Sequence, residues 1–173
     1  MTLSTGEILR FALYHGLILS VALSALIVGS LRLNAETWLS DYPPDIREAF
    51  GPMSEKARRQ RTPFAILFGA ILLATLTLGL WWLHRADGTP GFTHIFIYFL
   101  VVFTTFNLID LVVLDWLWFV WIQPDFIVLP GTEGLEGYKD YGFHFRAFLI
   151  GLTGTLVMAL VIAGTVVGIR LLG

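Results

Sequence analysis

FNLIDLVVLDWLWFVW, residues 106–121, sits inside an apolar run long enough to cross a membrane, yet it carries Asn107, Asp110 and Asp115. Outward from it the run covers residues 92–122, and three more of the same character occupy about 11–31, 64–83 and 146–169. A helix needs roughly 20 apolar residues to cross the hydrocarbon core, so each run reads as a span. Backbone polar groups in lipid must be satisfied within their own segment, and four spans are too few strands for a closed barrel. The expected fold class is therefore an all-α integral membrane protein, a four-transmembrane-helix bundle filling residues 1–173 as one membrane domain. The first run is too long for a signal peptide, its start holds only Arg10, and its small residues around Ala22 and Ala25 lie in mid-run.

Composition agrees with that reading. Hydrophobic residues make up 56% of the 173 and charged residues 14%, with a mean hydropathy of +0.75, far from the balance of a soluble domain. The apolar runs leave no room for a separate soluble catalytic domain. There is no cysteine, which excludes disulfides, thiolate nucleophiles and cysteine-held zinc or iron–sulfur centres. The formal net charge is -2 with no basic stripe, so nucleic acid is not an expected partner.

Direction follows from the positive charges. Arg32, Arg47, Lys56, Arg58, Arg59, Arg61, Lys139 and Arg146 fall in or beside the connections 32–63 and 123–145, leaving Arg10, Arg85 and Arg170 on the other side. The positive-inside rule then puts both long connections in the cytoplasm and both termini on the extracytoplasmic side of a plasma or bacterial inner membrane. The cluster KARRQR, from Lys56 to Arg61, abuts span two, where it sets topology and meets anionic headgroups.

The first long connection opens with Trp38 and Tyr42 at interface depth and breaks at Pro43 and Pro44. Asp45 is placed to cap a short amphipathic turn through Phe50, closed by Gly51 and Pro52, so the connection is expected to be ordered on the membrane surface. The short outer connection makes spans two and three a hairpin that brings His84, Asp87 and His94 together, a set that reads better as interfacial than as a metal site. The second long connection joins the apolar patch FIVLP to four glycines interleaved with Glu133, Glu136, Tyr138, Asp140, Tyr141 and His144. It is expected to dip into the headgroup region or to cover a cavity. It has no G-K-[ST] ending, so it is no phosphate loop. Span four carries Gly151, Gly154, Ala159, Gly164 and Gly168, small residues that let helices approach closely within the bundle or between copies.

A carboxylate at mid-membrane costs at least about 2.5 to 3.5 kcal/mol on insertion scales, so two in one span make a site hypothesis. At about 100° per residue a straight α-helix puts Asn107 and Asp110 on one face and turns Asp115 about 140° away from Asp110. Asp115 then meets His144 or Arg146 at the start of span four, while Asp110 has no basic residue at its own depth and is expected to be protonated, watered or bound to a cation. Ser20, Ser24, Thr75, Thr77, Thr104, Thr105, Thr153 and Thr155 supply hydroxyls, most of them expected to bond the carbonyl one turn back. His15 reads as interfacial. Trp116, Trp118 and Trp121 fit an aromatic belt, with a cavity wall as the other reading.

The spacing N-x-x-D-x-x-x-x-D is partly similar to the aspartate-rich motifs with which membrane prenyltransferases hold magnesium and diphosphate. Those enzymes have about twice as many helices, a second aspartate motif and a different spacing, so no residue takes a role from them.

The functional expectation is that Asn107 and Asp110, with Asp115, His144, Tyr138 and Tyr141, bind a proton, cation or small polar ligand for transport, in an oligomer. One alternative is a membrane-embedded enzyme acting on a lipid-like substrate, with Asp115 and His144 as the acid/base pair. It requires their tips to meet and to line an open cavity. The other is an accessory or scaffold subunit of a membrane complex. Asp110, Asp115 and His144 are also the candidate metal ligands. The sequence specifies no cofactor.

Overall fold

The computed structural model describes residues 3–172, and all regular structure among them is helical. In chain order these are α1 (Thr5–Asn34), α2 (Pro44–Phe50), α3 (Glu55–Asp87), α4 (Phe92–Ile109) continued without a break by a π segment (Asp110–Ile122), and α5 (Tyr141–Leu172). Short 3-10 turns occupy Ala35–Asp41 and Glu136–Lys139. Four helices, with their continuations, are long and apolar enough to cross a membrane.

The α1 and α3 helices outrun their apolar stretches because capping sets their starts, whereas the third span keeps the expected bounds of 92–122. Ser4 accepts from the Glu7 N–H while the Glu7 carboxylate takes the Ser4 N–H, so α1 begins well before Phe11. Ser54 caps α3 by accepting the Ala57 N–H at 3.2 Å, while its own N–H and hydroxyl donate to the Glu36 carboxylate. The Lys56 to Arg61 cluster is therefore the first turns of α3 rather than part of a loop, and the connection is shorter than the expected 32–63.

The α4 helix is central, with α1 on one side and α5 on the other. Close approach depends on glycines. A Cβ on Gly16 would lie 2.7 Å from Thr105 Cβ, and one on Gly79 would lie 2.8 Å from the Tyr98 ring. Buried Ile8, Ala12, Leu23, Ile95, Phe99 and Val102, with Ala159 and Ala163 from α5, form the main core. Within the chain Gly151 and Ala159 make the small-residue contact of α5, whereas Gly154, Gly164 and Gly168 have no neighbour within 4 Å of a built Cβ. The α3 helix leans on α1 and leaves its apolar middle largely uncovered.

The two long connections fold onto one another rather than lying apart. Leu39, Tyr42 and Ile46 of the first pack with Ile127, Leu129 and Tyr138 of the second, against Phe119 and Val120. Tyr42 Oη donates to Ile127 O at 2.8 Å. Asp45 does not cap α2, which begins after Pro43; its carboxylate accepts the Gly137 N–H at 2.8 Å and so ties the connections together. Gly51 ends α2 at φ 87, a conformation only glycine adopts freely.

Candidate functional site

The span that carries both carboxylates is not a straight α-helix. From Asp110 to Ile122 the backbone winds in the wider i→i+5 pattern, closed by Gln123 N–H on Trp118 O at 2.9 Å, with Gln123 itself left-handed at φ 47. That wider winding rotates each residue through less than the roughly 100° of an α-helix, which narrows the angle between residues five apart. The 140° divergence expected between Asp110 and Asp115 is corrected accordingly, because both line a single cavity.

This cavity, about 610 Å³, lies at the end of the bundle where the connections dock, between α1, α3, α4 and α5. Its carboxylates are Asp110, Asp115 and Asp41, the last at the end of the 3-10 turn that follows α1. Asp41 accepts from Ser40 Oγ at 3.1 Å and stands at the exposed rim, where Arg61 lines an adjoining pocket with it. The nearest charged neighbours of Asp110 are Asp115 and Asp41. Among the described residues no hydrogen bond or ion pair within the chain engages the Asp110 carboxylate.

Asp115 finds the first of its two expected partners. Its Oδ1 lies 3.1 Å from His144 Nδ1, while Arg146 turns to Asp140 at 3.6 Å. His144 is 3% exposed, held edge-on against Phe119 with ring centroids 4.8 Å apart. Its Nε2 is buried and, among the described residues, without a hydrogen-bond partner. A carboxylate on Nδ1 fixes the ring orientation and sets which nitrogen carries the proton. Asp115 and His144 therefore form an oriented pair in the cavity wall, with Nε2 turned into the protein.

Other expected site residues are placed elsewhere. Asn107 donates to Thr155 Oγ1 at 2.8 Å and to Phe103 O at 3.1 Å, with its carbonyl oxygen packed on Gly151, so it joins α4 to α5 and does not line the cavity. Tyr138 is buried in the docked connections, its hydroxyl accepting from Leu129 N–H and bonding Thr132. Tyr141 is exposed beside Trp116, its carbonyl 3.4 Å from the indole nitrogen. Glu133 serves its own turn: its own N–H and that of Gly131 hold its carboxyl below the usual range. The proposed metal set does not converge, because Asp115 is committed to His144 and Asp110 lies a turn away. Among the described residues no three of His, Asp or Glu come together as a metal site. None of Trp116, Trp118 and Trp121 lines the cavity; the indole there is Trp38, held by Ser30.

The remaining polar groups mostly behave as packing chemistry dictates. Ser20, Thr75, Thr77, Thr105 and Thr153 bond the carbonyl four residues back. His15 bonds Tyr98 Oη at 2.6 Å beside Trp82, away from this cavity. At the hairpin His94 Nδ1 meets Asp87 at 2.5 Å, and Asp87 also accepts the Leu3 N–H, with His84 taking no part. Asp41, Ser40 and Trp38 were invisible as site residues from sequence, because nothing in a polar connection marks which of its carboxylates folds back under a helix end. The chain matches no family model, no curated protein and no solved structure.

Proposed function

We propose that this chain is a multi-pass membrane protein, with both docked connections in the cytoplasm and both termini outside, that binds a positively charged or proton-bearing ligand in the cavity at its cytoplasmic end. The observation that carries the reading is the gathering of Asp41, Asp110, Asp115 and His144 around one space, walled by apolar residues of four long helices. Three carboxylates held together in an apolar wall, outnumbering Arg146 and the Arg61 beside Asp41, favour a cation over an anion. The opposite half of the bundle holds the main apolar core and a separate, mainly apolar pocket of about 360 Å³ beside His15 and Tyr98, an arrangement that supports binding over conduction through a single chain. Transport would require further copies. The cluster from Lys56 to Arg61, at the same end, supports the orientation and contact with anionic headgroups.

Two measurements test this. Titration of the purified protein with ethylammonium is expected to show saturable binding, weakened about tenfold or more when Asp110→Asn and Asp115→Asn are combined. Equal binding by wild type and the double variant refutes the site. Since the chain lacks cysteine, Ser4→Cys and Lys139→Cys report orientation directly. An impermeant maleimide is expected to label position 4 from outside intact cells and position 139 only after lysis, and the reverse pattern refutes the orientation.

The 3.1 Å pair of Asp115 and His144 favours a second reading, an enzyme acting on a lipid-like substrate at the cytoplasmic interface. Here Asp115 orients the ring and the pair takes a proton from the ligand. Molecules co-purifying with His144→Gln would then differ in mass from those held by the wild type, as unconverted substrate differs from product.

A further inference from the structure

The cavity lining is sorted along its length. Its charged groups lie toward one end, where Asp41, Asp115, His144 and Arg146 are set among aromatic residues such as Trp38 and Phe119, while beyond Asp110 the lining is apolar, formed by Ile27, Phe68, Phe106 and Ile150. A pocket for a small hydrated cation has no use for the apolar half.

That apolar half is also open at the side. The α5 helix packs on α4 and its π continuation, while α3 packs on α1, so α3 and α5 flank the cavity without an extended contact between them. Phe68 of α3 faces Ala147 and Ile150 of α5 across it, and Ile150 is 75% exposed although it lines the cavity. In a bilayer this gap faces the hydrocarbon, while the rim at Ser40 and Asp41 faces the headgroups.

The polar half sets the sign of the head. Three carboxylates outnumber Arg146, which is turned toward Asp140, and Arg61, which stands beside Asp41 in the adjoining pocket, and the buried His144 Nε2 has no partner of its own among the described residues. An anionic head would meet repulsion from all three carboxylates.

From these features we infer that the cavity takes a long-chain amphiphile with an ammonium head directly from the bilayer. The head sits among Asp41, Asp110 and Asp115, and the hydrocarbon chain leaves between α3 and α5 past Phe68, Phe106 and Ile150. This deepens the cation-binding reading above and rests on it. The polarity matches that of a membrane amphiphile, whose chain lies toward the midplane and whose head lies at the surface.

The test uses the full chain in nanodiscs of neutral lipid, with dodecylammonium, ethylammonium and dodecanoate as probes. A dodecylammonium analogue with a photoreactive diazirine in mid-chain maps the path. Dodecylammonium is expected to bind saturably, about tenfold or more weaker in the combined Asp110→Asn and Asp115→Asn protein, with dodecanoate failing to compete. Ile150→Trp, a change at an exposed position, is expected to weaken dodecylammonium while leaving ethylammonium unchanged, and crosslinks should fall on Phe68, Phe106 or Ile150. If Ile150→Trp changes neither amine and the crosslinks lie elsewhere, the lateral chain path is overturned while the cation site stands. Competition by dodecanoate overturns the head assignment. If neither amine binds, this inference and the cation reading fall together.

Discussion

Replacing Gly151 by alanine tests whether Asn107 is a helix-joining residue or part of a ligand site. A methyl group there would lie 2.5 Å from Asn107 Oδ1, and ordinary contact begins at 3.4 Å. The side chain must therefore retreat by about 0.9 Å, or the helices must part by a similar amount. Asn107 is not free to turn away, because its Nδ2 is held by Thr155 Oγ1 at 2.8 Å and Phe103 O at 3.1 Å. A shift of that size takes either bond beyond the usual 2.7 to 3.2 Å range. An interhelical hydrogen bond in a membrane protein contributes about 0.6 kcal/mol on average, and forced overpacking costs about 1 to 3 kcal/mol. Gly151→Ala should therefore destabilise the α4–α5 contact by about 1 to 3 kcal/mol. Asn107→Ala alone should cost less, and in the double variant the clash disappears, so the two costs should fall short of additivity by about 1 kcal/mol. Equilibrium unfolding in mixed micelles measures all four corners of the cycle, with ethylammonium titration run on each folded variant. A Gly151→Ala protein as stable as wild type, strict additivity, or loss of ethylammonium binding in a stable Asn107→Ala protein would each refute the assignment.

Two further outcomes follow from the docked connections and the hairpin. A Cβ on Gly137 would collide with the Asp45 carboxylate that its own N–H holds, so Gly137→Ala should release the connections and speed protease cleavage between residues 125 and 140. Tyr42→Phe, which removes only the bond to Ile127 O, should cost about 0.5 to 1.5 kcal/mol and give a milder form of the same effect. Unchanged cleavage in Gly137→Ala would show that the connections are not joined there. Asp87→Asn weakens the links to His94 and to the Leu3 N–H, and should raise hydrogen exchange in the first turn of α1 without altering ethylammonium binding.

The four long helices were legible because span length is fixed by bilayer thickness and apolar runs of that length are rarely anything else. Their starts were less so: the caps at Ser4 and Ser54 and the helical winding of Lys56 to Arg61 lie in polar sequence, where hydropathy carries no signal. The site divides in the same way. Asp110 and Asp115 stood out because ionisable groups in apolar runs are costly enough to need a reason, and His144 because it lies at the start of span four within reach of Asp115. Asp41 did not, since a carboxylate in a polar connection looks like any solvated charge until the chain folds back at Pro43. Asn107 was misplaced for a different cause: its one-turn spacing from Asp110 was sound, but the small residue that receives it, Gly151, lies on another helix. Pairings between helices are not written in the spacing along one of them.

The π winding is the element on which the site turns, and composition hides it completely. DLVVLDWLWFVWI is as apolar as the α-helical stretch before it, and nothing in its residue types forbids a continuous α-helix. What departs from α geometry is the closure: Gln123 caps the segment through an i→i+5 bond, and its side chain donates to Val120 O and to Tyr138 O of the second connection at 3.0 and 2.9 Å. Phe119 and Val120, in the last turns, are the residues on which that connection packs. The wider winding is thus anchored at the end where the two connections dock. It is the same winding that turns Asp115 toward the cavity it shares with Asp110, within 3.1 Å of His144. Rare i→i+5 turns cluster at functional sites because they reorient side chains at the expense of regular backbone geometry. In this chain the reoriented side chains are the two carboxylates, and the docked connections, the π segment and the acidic cavity are joined through Gln123, Phe119 and Tyr138 into one contiguous set of contacts.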